Sequence, residues 1–568
     1  MLLLLFYGVV SILVSVQESA TFDEKAHIPA AYSYVRYGDM RINPEHPPLI
    51  KDLAGFPLLF LDVTFPLDTP EWQTGVNEQW RLGDMSMNCT DPDIACNDSE
   101  AILLWSRFPT TIIALLLGLF LFLWGREIGG TLAGLIATLL FVFDPNTLAH
   151  GHYVTTDIGI AAFIFFAFYF FVHFLKRPSW KNVLLAGLFL GLAELTKFSS
   201  ILLLPIFGLF TLVYALTKHM GHAQTVRHPR FHIVATYLGK YVAILVICFA
   251  LIAGFYAVNT RNMPQEQTIA VSEYMFSPYT GVGENVAKRF ARNSLEAIVE
   301  IPGFDPIAHY LLGVFMVFSR VAGGNTFYFL GTISQDASLA YFPVLFGLKE
   351  TLPLIFFLIL TLSYGIFRIG KTLRGKLTSD VFALFAASFQ ERIAQYLAFF
   401  FIIFYSYISI TGNLNIGFRH LFPILPFIYL LIGKTAADFY QRNKDDTGYL
   451  IRPIFAVLVA VIISIPLSTY PHYLSYYNPL AGGNLNGYMI ATDSNYDWGQ
   501  DLKHLRDFVD THNRCVDTPN FRCDPSLVSL PKIDTLHLDY FGGSNPNLYL
   551  KDRYTNWYAA KDPEPGWY

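Results

Sequence analysis

Long apolar runs broken by short polar connections recur along most of the chain. Candidate spans fall at 1–16, 102–124, 131–148, 157–175, 182–195, 200–217, 240–257, 342–367, 395–411, 419–433 and 452–468. Many run for about 17 to 25 residues, the length at which a helix crosses the hydrocarbon core of a bilayer. The pattern predicts an all-α multi-pass membrane protein with about eleven transmembrane helices. Met1–Val16 is short and has no basic residue before it, so it reads as a first span more readily than as a cleaved signal peptide.

Parity gives this reading internal support. With the N-terminus inside, the basic connections KRPSWK (176–181), 218–240, RIGKTLRGK (368–376) and KTAADFYQRNK (434–444) all fall on one face. The positive-inside rule makes that face cytoplasmic. The other face collects 17–101, 144–156, 194–199, 258–341, 412–418 and the tail. The expected organisation is a membrane domain over 1–468, with a first outer loop at 17–101 and a large outer loop at 258–341. A small C-terminal α/β extracytosolic region follows at 469–568.

The first outer loop has order of its own. Thr21-x-x-Glu24 has capping-box form and predicts a helix start there, placing Asp23, His27 and Tyr34 on one face. Pro47-Pro48 marks a second helix, in which Leu49, Leu53, Phe56 and Phe60 recur at the spacing of an interfacial helix. In the tail, Trp498, Leu502, Leu505 and Val509 form one apolar stripe, and IDTLHLDYFGG (533–543) alternates like a strand.

Composition narrows the class. Only 15% of the residues are charged, against roughly 25% in soluble proteins. A net charge of -5 leaves no dominant basic surface and argues against a nucleic-acid partner. Five cysteines are too few for a disulfide scaffold, but Cys89/Cys96 and Cys515/Cys523 are close pairs in polar segments, as in an oxidising compartment. Asn88-Cys89-Thr90 and Asn97-Asp98-Ser99 have the form of glycosylation sequons.

Ionisable residues at the outer ends of the spans are the candidate chemistry. Asp23 and Glu24 are neighbours on a helix and point about 100° apart, so only one of them can face a reaction centre. The alternative is that Glu24 closes the capping box and Asp23 complements the helix dipole. Asp157 opens a span after Thr155-Thr156, either as a site residue or as an N-cap. His150, His152, Glu45 and Asp157 are all metal-ligand types, without a spacing that specifies a metal. Glu45-His46 precedes the interfacial helix, at the depth of a lipid phosphate. Lys197 and Arg419 are basic residues on the outer face. Snorkelling is the ordinary reading of each; a phosphate partner is the sharper one.

Two motifs are decoys. Residues 365–372 match P-loop spacing at the end of an apolar helix, with no preceding strand to frame a phosphate cradle. Asp91-Pro92-Asp93 imitates a metal–nucleotide-sugar motif without a nucleotide fold.

The outer face thus combines a carboxylate base candidate, several cations and an interfacial helix, with no nucleotide site. This suits a lipid-phosphate substrate: cations stabilise the leaving phosphate, and a carboxylate takes the acceptor's proton. TFDE in the first loop, Glu45-x-Pro-Pro-Leu49 and an Asp opening the fourth span resemble the GT-C fold of glycosyltransferase family 39. That family includes the protein O-mannosyltransferases and the aminoarabinose transferases. GLAELTKFSS (191–200) and GFRHLFPILPF (417–427) are similar to later elements of the group. The likeness covers about residues 17–435, and TDSNYDWGQDL (492–502) is similar to phospholipid-carrier-dependent relatives.

The resemblance implies a role for each matching position. Asp23 would be the catalytic base, with Glu24 supporting the acceptor site. Glu45 and Asp157 would shape the site, with a divalent metal left open. Lys197 and Arg419 would hold the donor phosphate, joined by His46, which stands where some relatives carry Lys and whose charge would follow pH. The implied partners are a polyprenyl-phosphate-linked sugar, a protein or lipid acceptor and membrane lipids, and the implied reaction is an inverting single displacement. A transporter or flippase of lipid-linked sugars is the alternative. It favours paired repeats and charges inside the spans, whereas these charges gather at the outer ends. A non-catalytic scaffold is a third reading.

Overall fold

The helix Asp157–Lys176 is the centre of the molecule. Its sequence, DIGIAAFIFFAFYFFVHFLK, is apolar on every face, and 15 of its 20 residues are buried inside the protein. A helix hydrophobic all round needs protein or lipid on all sides. Phe171 stacks on Phe207 at 3.9 Å, and Phe168 meets Phe401 and Phe427 at 4.9 and 4.8 Å. By contrast, Leu352–Leu373 and Arg452–Thr469 are only 17% buried and present their apolar faces outward. The computed structural model describes every residue except 91–95, 222–229, 278–284, 375–377, 444–447, 521, 522 and 564. The Asp91-Pro92-Asp93 motif and part of the basic 218–240 connection therefore lie outside the described residues.

Among the described residues, nine helices are long and apolar enough to cross a membrane, as expected of a multi-pass α-helical membrane protein. One of them, Ser99–Val142, is a hairpin: the chain reverses at Gly130, where φ is 81°, a conformation that favours glycine. The two arms pack so closely that a Cβ on Gly125 would lie 2.7 Å from the Gly134 Cα. Small residues permit such approach where lipid removes the hydrophobic drive between helices. Leu2–Gln17 and Trp180–Glu194 are apolar but shorter.

The stretch expected to be a large outer loop, 258–341, has helices of its own among the described residues. It contains the helices Gln265–Phe276, Val286–Val299 and Asp305–Gly323, the last apolar enough to span. Asp305–Gly323 nevertheless keeps to the end of the bundle that carries the first loop. Asp305 accepts from Gln265 at 2.6 Å, Tyr310 donates to Glu194, and Gly313 abuts the Pro44 carbonyl and Phe198. Leaving this helix aside, and counting both hairpin arms with the two shorter helices, the passes are those read from the hydrophobic pattern. One boundary moves: the span expected at 342–367 is two helices, Tyr341–Lys349 and Leu352–Leu373, with extended backbone at Glu350 between them. The P-loop mimic at 365–372 lies within the second, where helical backbone offers no phosphate cradle.

The opposite end collects the basic connections. Lys176 pairs with Glu127 at 3.6 Å, and Lys434 packs against Gly129 beside the hairpin turn.

The tail folds back onto the first loop. Ser19 N–H donates to the Gln500 carbonyl and Phe22 N–H to that of Trp498, while Gly543 N–H donates to the Ala20 carbonyl. Tyr473, Tyr477, Ala491 and Trp498 join the main hydrophobic core, and Val509, Ile533, Leu536 and Leu550 form a small core of their own. Leu536–Leu538 pairs in parallel with Tyr554–Asn556, within the stretch that alternates. Cys89–Cys96 and Cys515–Cys523 are disulfide-bonded. Asn88, in the first sequon, is buried, and its amide donates to Gly543 and Asp84.

Candidate active site

The first-loop helix begins at Glu24, one residue after Asp23, and Glu24 decides where both carboxylates go. Its Oε2 accepts from the Thr21 backbone N–H at 2.9 Å, half of the expected capping box. The other half is absent, because the Thr21 hydroxyl also turns to Glu24. Arg107, from the hairpin, closes a two-pronged pair with Glu24 at 2.8 and 2.7 Å, and Val154 N–H adds a third donor. Burial alone would raise the Glu24 carboxyl, but Arg107 outweighs it and holds the group below its ordinary value. Glu24 is therefore sealed in the core and, unlike Asp23, does not line the cavity, contrary to the expectation that the two stand side by side at the site.

Pinning Glu24 inward turns Asp23 into a cavity of about 290 Å³. Asp23, Glu45, His46, Asp157, Lys197 and Arg419 all line it, although they come from four separate stretches of the chain. Arg419 is the hub. Its Nη1 donates to Asp23 Oδ2 at 2.8 Å and to Asp157 Oδ2 at 3.3 Å, while Lys197 Nζ donates to Asp157 Oδ1 at 2.7 Å. The Trp498 indole lies against the guanidinium, 4.1 Å from ring centroid to Cζ. Arg419 Nε is buried without a hydrogen-bond partner. Gly417 allows this placement: its φ of 145° suits glycine, and a Cβ there would lie 2.3 Å from Ser494 Oγ.

Asp157 is the first residue of its helix and not the N-cap, which is Thr156 and makes no side-chain cap bond. Its carboxylate is spent on Lys197 and Arg419. For Asp23, burial raises the carboxyl, but Arg419 and then His27 outweigh it and hold it below the ordinary aspartate value.

The Asn43–His46 turn is fixed from beneath by Lys51. This buried ammonium shares its three N–H donors among the Asn43 carbonyl and Oδ1, the His46 carbonyl and the Tyr34 hydroxyl, all at 2.8–2.9 Å. Burial lowers Lys51 to about 7 against the pull of Glu45 and Asp52. The turn delivers Glu45, whose Oε1 accepts from Gln79 at 3.0 Å while Oε2 is buried and bare. It also delivers His46, 5.0 Å from the His27 ring. Burial first, then His27 and the nearby cations, hold His46 well below its ordinary value. Burial and the neighbouring cations thus oppose the charge expected of His46, and its Nδ1 is buried without a hydrogen-bond partner.

Of the expected metal-ligand types on the cavity wall, Asp157 is fully engaged by cations, while Glu45 keeps an open oxygen. Both oxygens of Asp157 and Oδ2 of Asp23 are taken by cations, and Lys197, Arg419 and Arg320 face the same space. His150 packs against Phe422 and Trp498, and His152 bonds to Glu18 at 2.8 Å; neither lines the cavity.

Three contributors escape a reading by motif. Lys51 stands in a short helix read for its apolar face, and its burial follows from tertiary packing. Arg107 carried a signal, an ionisable residue inside a span. Arg320 reaches the cavity from Asp305–Gly323, a helix inside what reads as a loop. At the mouth, Phe22 lies between Trp80 and Phe541, at 4.5 and 4.4 Å.

Residues 103–252 match the family model described as dolichyl-phosphate-mannose-protein mannosyltransferase. The match spans the hairpin, Asp157 and Lys197, and it accords with the resemblance carried by the sequence motifs. No curated protein matches the chain in sequence. Among solved structures, the chain is similar to the archaeal oligosaccharyltransferase AglB from Archaeoglobus fulgidus, at 15% identity and a TM-score of 0.43, over 93% of this chain and 60% of that one. It thus spans less than two thirds of that protein's length. The S. cerevisiae protein O-mannosyltransferase Pmt1–Pmt2 complex aligns at 17% identity and a TM-score of 0.33, over 46% of this chain and 34% of that one. ArnT from Cupriavidus metallidurans aligns at 15% identity and a TM-score of 0.29, over 78% of each chain.

Proposed function

We propose that this chain is an integral-membrane glycosyltransferase that moves a sugar from a polyprenyl-phosphate donor to a protein or lipid acceptor. The observation that carries the proposal is the half-used Arg419: a buried guanidinium with a bare Nε, bound to Asp23 and Asp157 inside a cavity that also holds Lys197. A donor phosphate supplies the missing acceptor for Arg419 and Lys197. Arg419 then has less hold on Asp23, and the Asp23 carboxylate regains basicity where the acceptor enters. Asp23 takes the proton of the acceptor hydroxyl or amine, and the freed lone pair forms a bond to the anomeric carbon. The carbon–oxygen bond to phosphate breaks, and its electron pair leaves on the lipid phosphate, where Arg419 and Lys197 stabilise it. One displacement inverts the anomeric centre. Residues 1–468 carry this chemistry, and 469–568 backs Arg419 through Trp498.

The site end of the bundle is assigned to the extracytosolic face. Support comes from the positive-inside rule applied to the basic connections at the other end, and from the two disulfides, which belong to an oxidising compartment.

The test is transfer from a panel of radiolabelled polyprenyl-phosphate sugars, using purified wild type and Asp23→Asn in detergent with membrane extract as acceptor. Wild type is expected to label a protein or lipid, and Asp23→Asn to fold normally and lose at least about a hundredfold in rate. Equal transfer by the variant removes Asp23 as base. Tight donor binding with no sugar consumed favours a transporter of lipid-linked sugars.

A further inference from the structure

A second cluster of ionisable groups lies outside the cavity. Helix Gly448–Thr469 ends in the sequence Thr-Tyr-Pro-His, so His472 stands three residues beyond the last turn. Asp501 is the N-cap of Leu502–Asp517 and His504 sits three residues later, so the two share a helix face. The tail's return over the first loop brings the two segments together. Asp501 Oδ1 lies 2.8 Å from His504 Nδ1 and 3.7 Å from His472 Nδ1, and the imidazole centroids are 4.8 Å apart. Among the described residues this is the one group of three His, Cys, Asp or Glu whose ligand atoms all lie within 4.8 Å of one another.

Two further observations shape the cluster as a binding site. Gln500, buried, donates Nε2 to Asp501 Oδ2 at 2.7 Å, while its Oε1 accepts from the Trp498 N–H. The carboxylate is thus oriented from behind, with Oδ1 turned to the two imidazoles, an arrangement typical of outer-shell support around a metal ligand. His504 turns Nδ1 to Asp501, and its other ring nitrogen, Nε2, has no hydrogen-bond partner, so Nδ1 is the atom that its ring offers to the cluster. Two imidazoles and a carboxylate are the donor set of an open tetrahedral zinc site, whose bonds of about 2.0–2.2 Å hold ligand atoms roughly 3.3 Å apart. The observed 2.8 and 3.7 Å bracket that spacing. His472 and Asp501 are half exposed, which leaves room for a water in the fourth position.

We infer that His472, Asp501 and His504 form a site for a divalent transition metal of the zinc class, which fastens the tail to the end of the last membrane helix. The inference is independent of the proposed sugar transfer. The fastened segment also carries Trp498, the ring against Arg419, so the metal would steady one wall of the cavity without entering it.

The test uses the untagged full-length protein in detergent, stripped with EDTA, dialysed, and titrated with ZnCl2 by calorimetry. Co²⁺ serves as the spectroscopic probe. Wild type is expected to bind one equivalent of zinc, to melt at a higher temperature with zinc than without it, and to give a tetrahedral Co²⁺ spectrum. The double variant His472→Gln/His504→Gln is expected to keep the wild-type elution profile and circular dichroism and to lose at least about a hundredfold in zinc affinity. Unchanged affinity in that variant overturns the assignment. So does a wild-type melting temperature indifferent to zinc. Should the double variant fail to fold, the wild-type Co²⁺ spectrum decides: an octahedral, aquo-like spectrum overturns the site.

Discussion

Two arginines hold two adjacent carboxylates, and they hold them differently. Arg107 grips Glu24 with two nitrogens and spends its other donors on the Ser15, Glu18 and Ser19 carbonyls, in a place with 1% exposure. Arg419 divides Nη1 between Asp23 and Asp157 and leaves Nε bare, at the wall of a cavity. A saturated buried pair is finished; nothing can be added to it without breaking it. An unsaturated one beside open space is ready for an anion. Two arginine–carboxylate pairs, whose carboxylates are one position apart in the sequence, thus become scaffold and site.

The largest expected effect breaks the scaffold side. Arg107→Met leaves Glu24 charged, buried and without its cation, which costs about 3–5 kcal/mol. Unfolding in detergent should show it, and Arg107→Met/Glu24→Gln should recover much of the loss by removing the stranded charge. If the double variant is no better than the single, the pair is not the unit described here. On the site side, Asp23→Asn should lower transfer at least about a hundredfold, about 2.7 kcal/mol of barrier, while unfolding like wild type. The contrast fails if Asp23→Asn destabilises as much as Arg107→Met.

Lys51 lies between these extremes: structural by burial, yet holding the turn that presents Glu45 and His46. Lys51→Met removes three N–H donors from buried acceptors of the Asn43–His46 turn and is expected to cost about 2–3 kcal/mol. It should also reduce donor affinity through the slackened turn. A variant with lowered stability and an unchanged donor KM would detach Lys51 from the site.

Position along the chain explains what was legible in the sequence. Asp157, Lys197 and Arg419 each stand where an apolar run meets a polar connection, so parity alone put them at one end together. Which of Asp23 and Glu24 turns inward was not legible, because the answer lies in Arg107, distant in sequence. Trp498 was misleading for another reason. It continues the apolar stripe of Leu502, Leu505 and Val509, but the helix starts at Leu502 and the indole goes to Arg419 instead. Arg320 was hidden because the 258–341 stretch reads as a connection while its last helix lies against the site.

The acid limb of the pH profile sharpens the comparison further. Arg419 holds the resting Asp23 below the ordinary aspartate value of about 3.9. The free enzyme's kcat/KM should therefore persist as pH falls through the usual carboxylate range, and drop only when Asp23 protonates at its depressed value. Residual activity in Arg419→Gln should show this limb displaced upward, because the attraction favouring the carboxylate is gone. A limb that stays in place means that the pair does not set the protonation of Asp23.

Arg320 carries the smallest effect and separates the two kinds of arginine most cleanly. It lines the cavity, lies in no ion pair among the described residues and comes from a helix laid over the site. Removing its charge breaks no ion pair among the described residues, so Arg320→Gln should unfold like wild type. If the lipid phosphate extends towards it, a partly solvated contact of about 1 kcal/mol is lost, roughly fivefold in the donor KM with kcat little changed. A fall in kcat instead would mean that the charge is felt mainly in the transition state, making Arg320 a partner of Arg419 in stabilising the leaving phosphate.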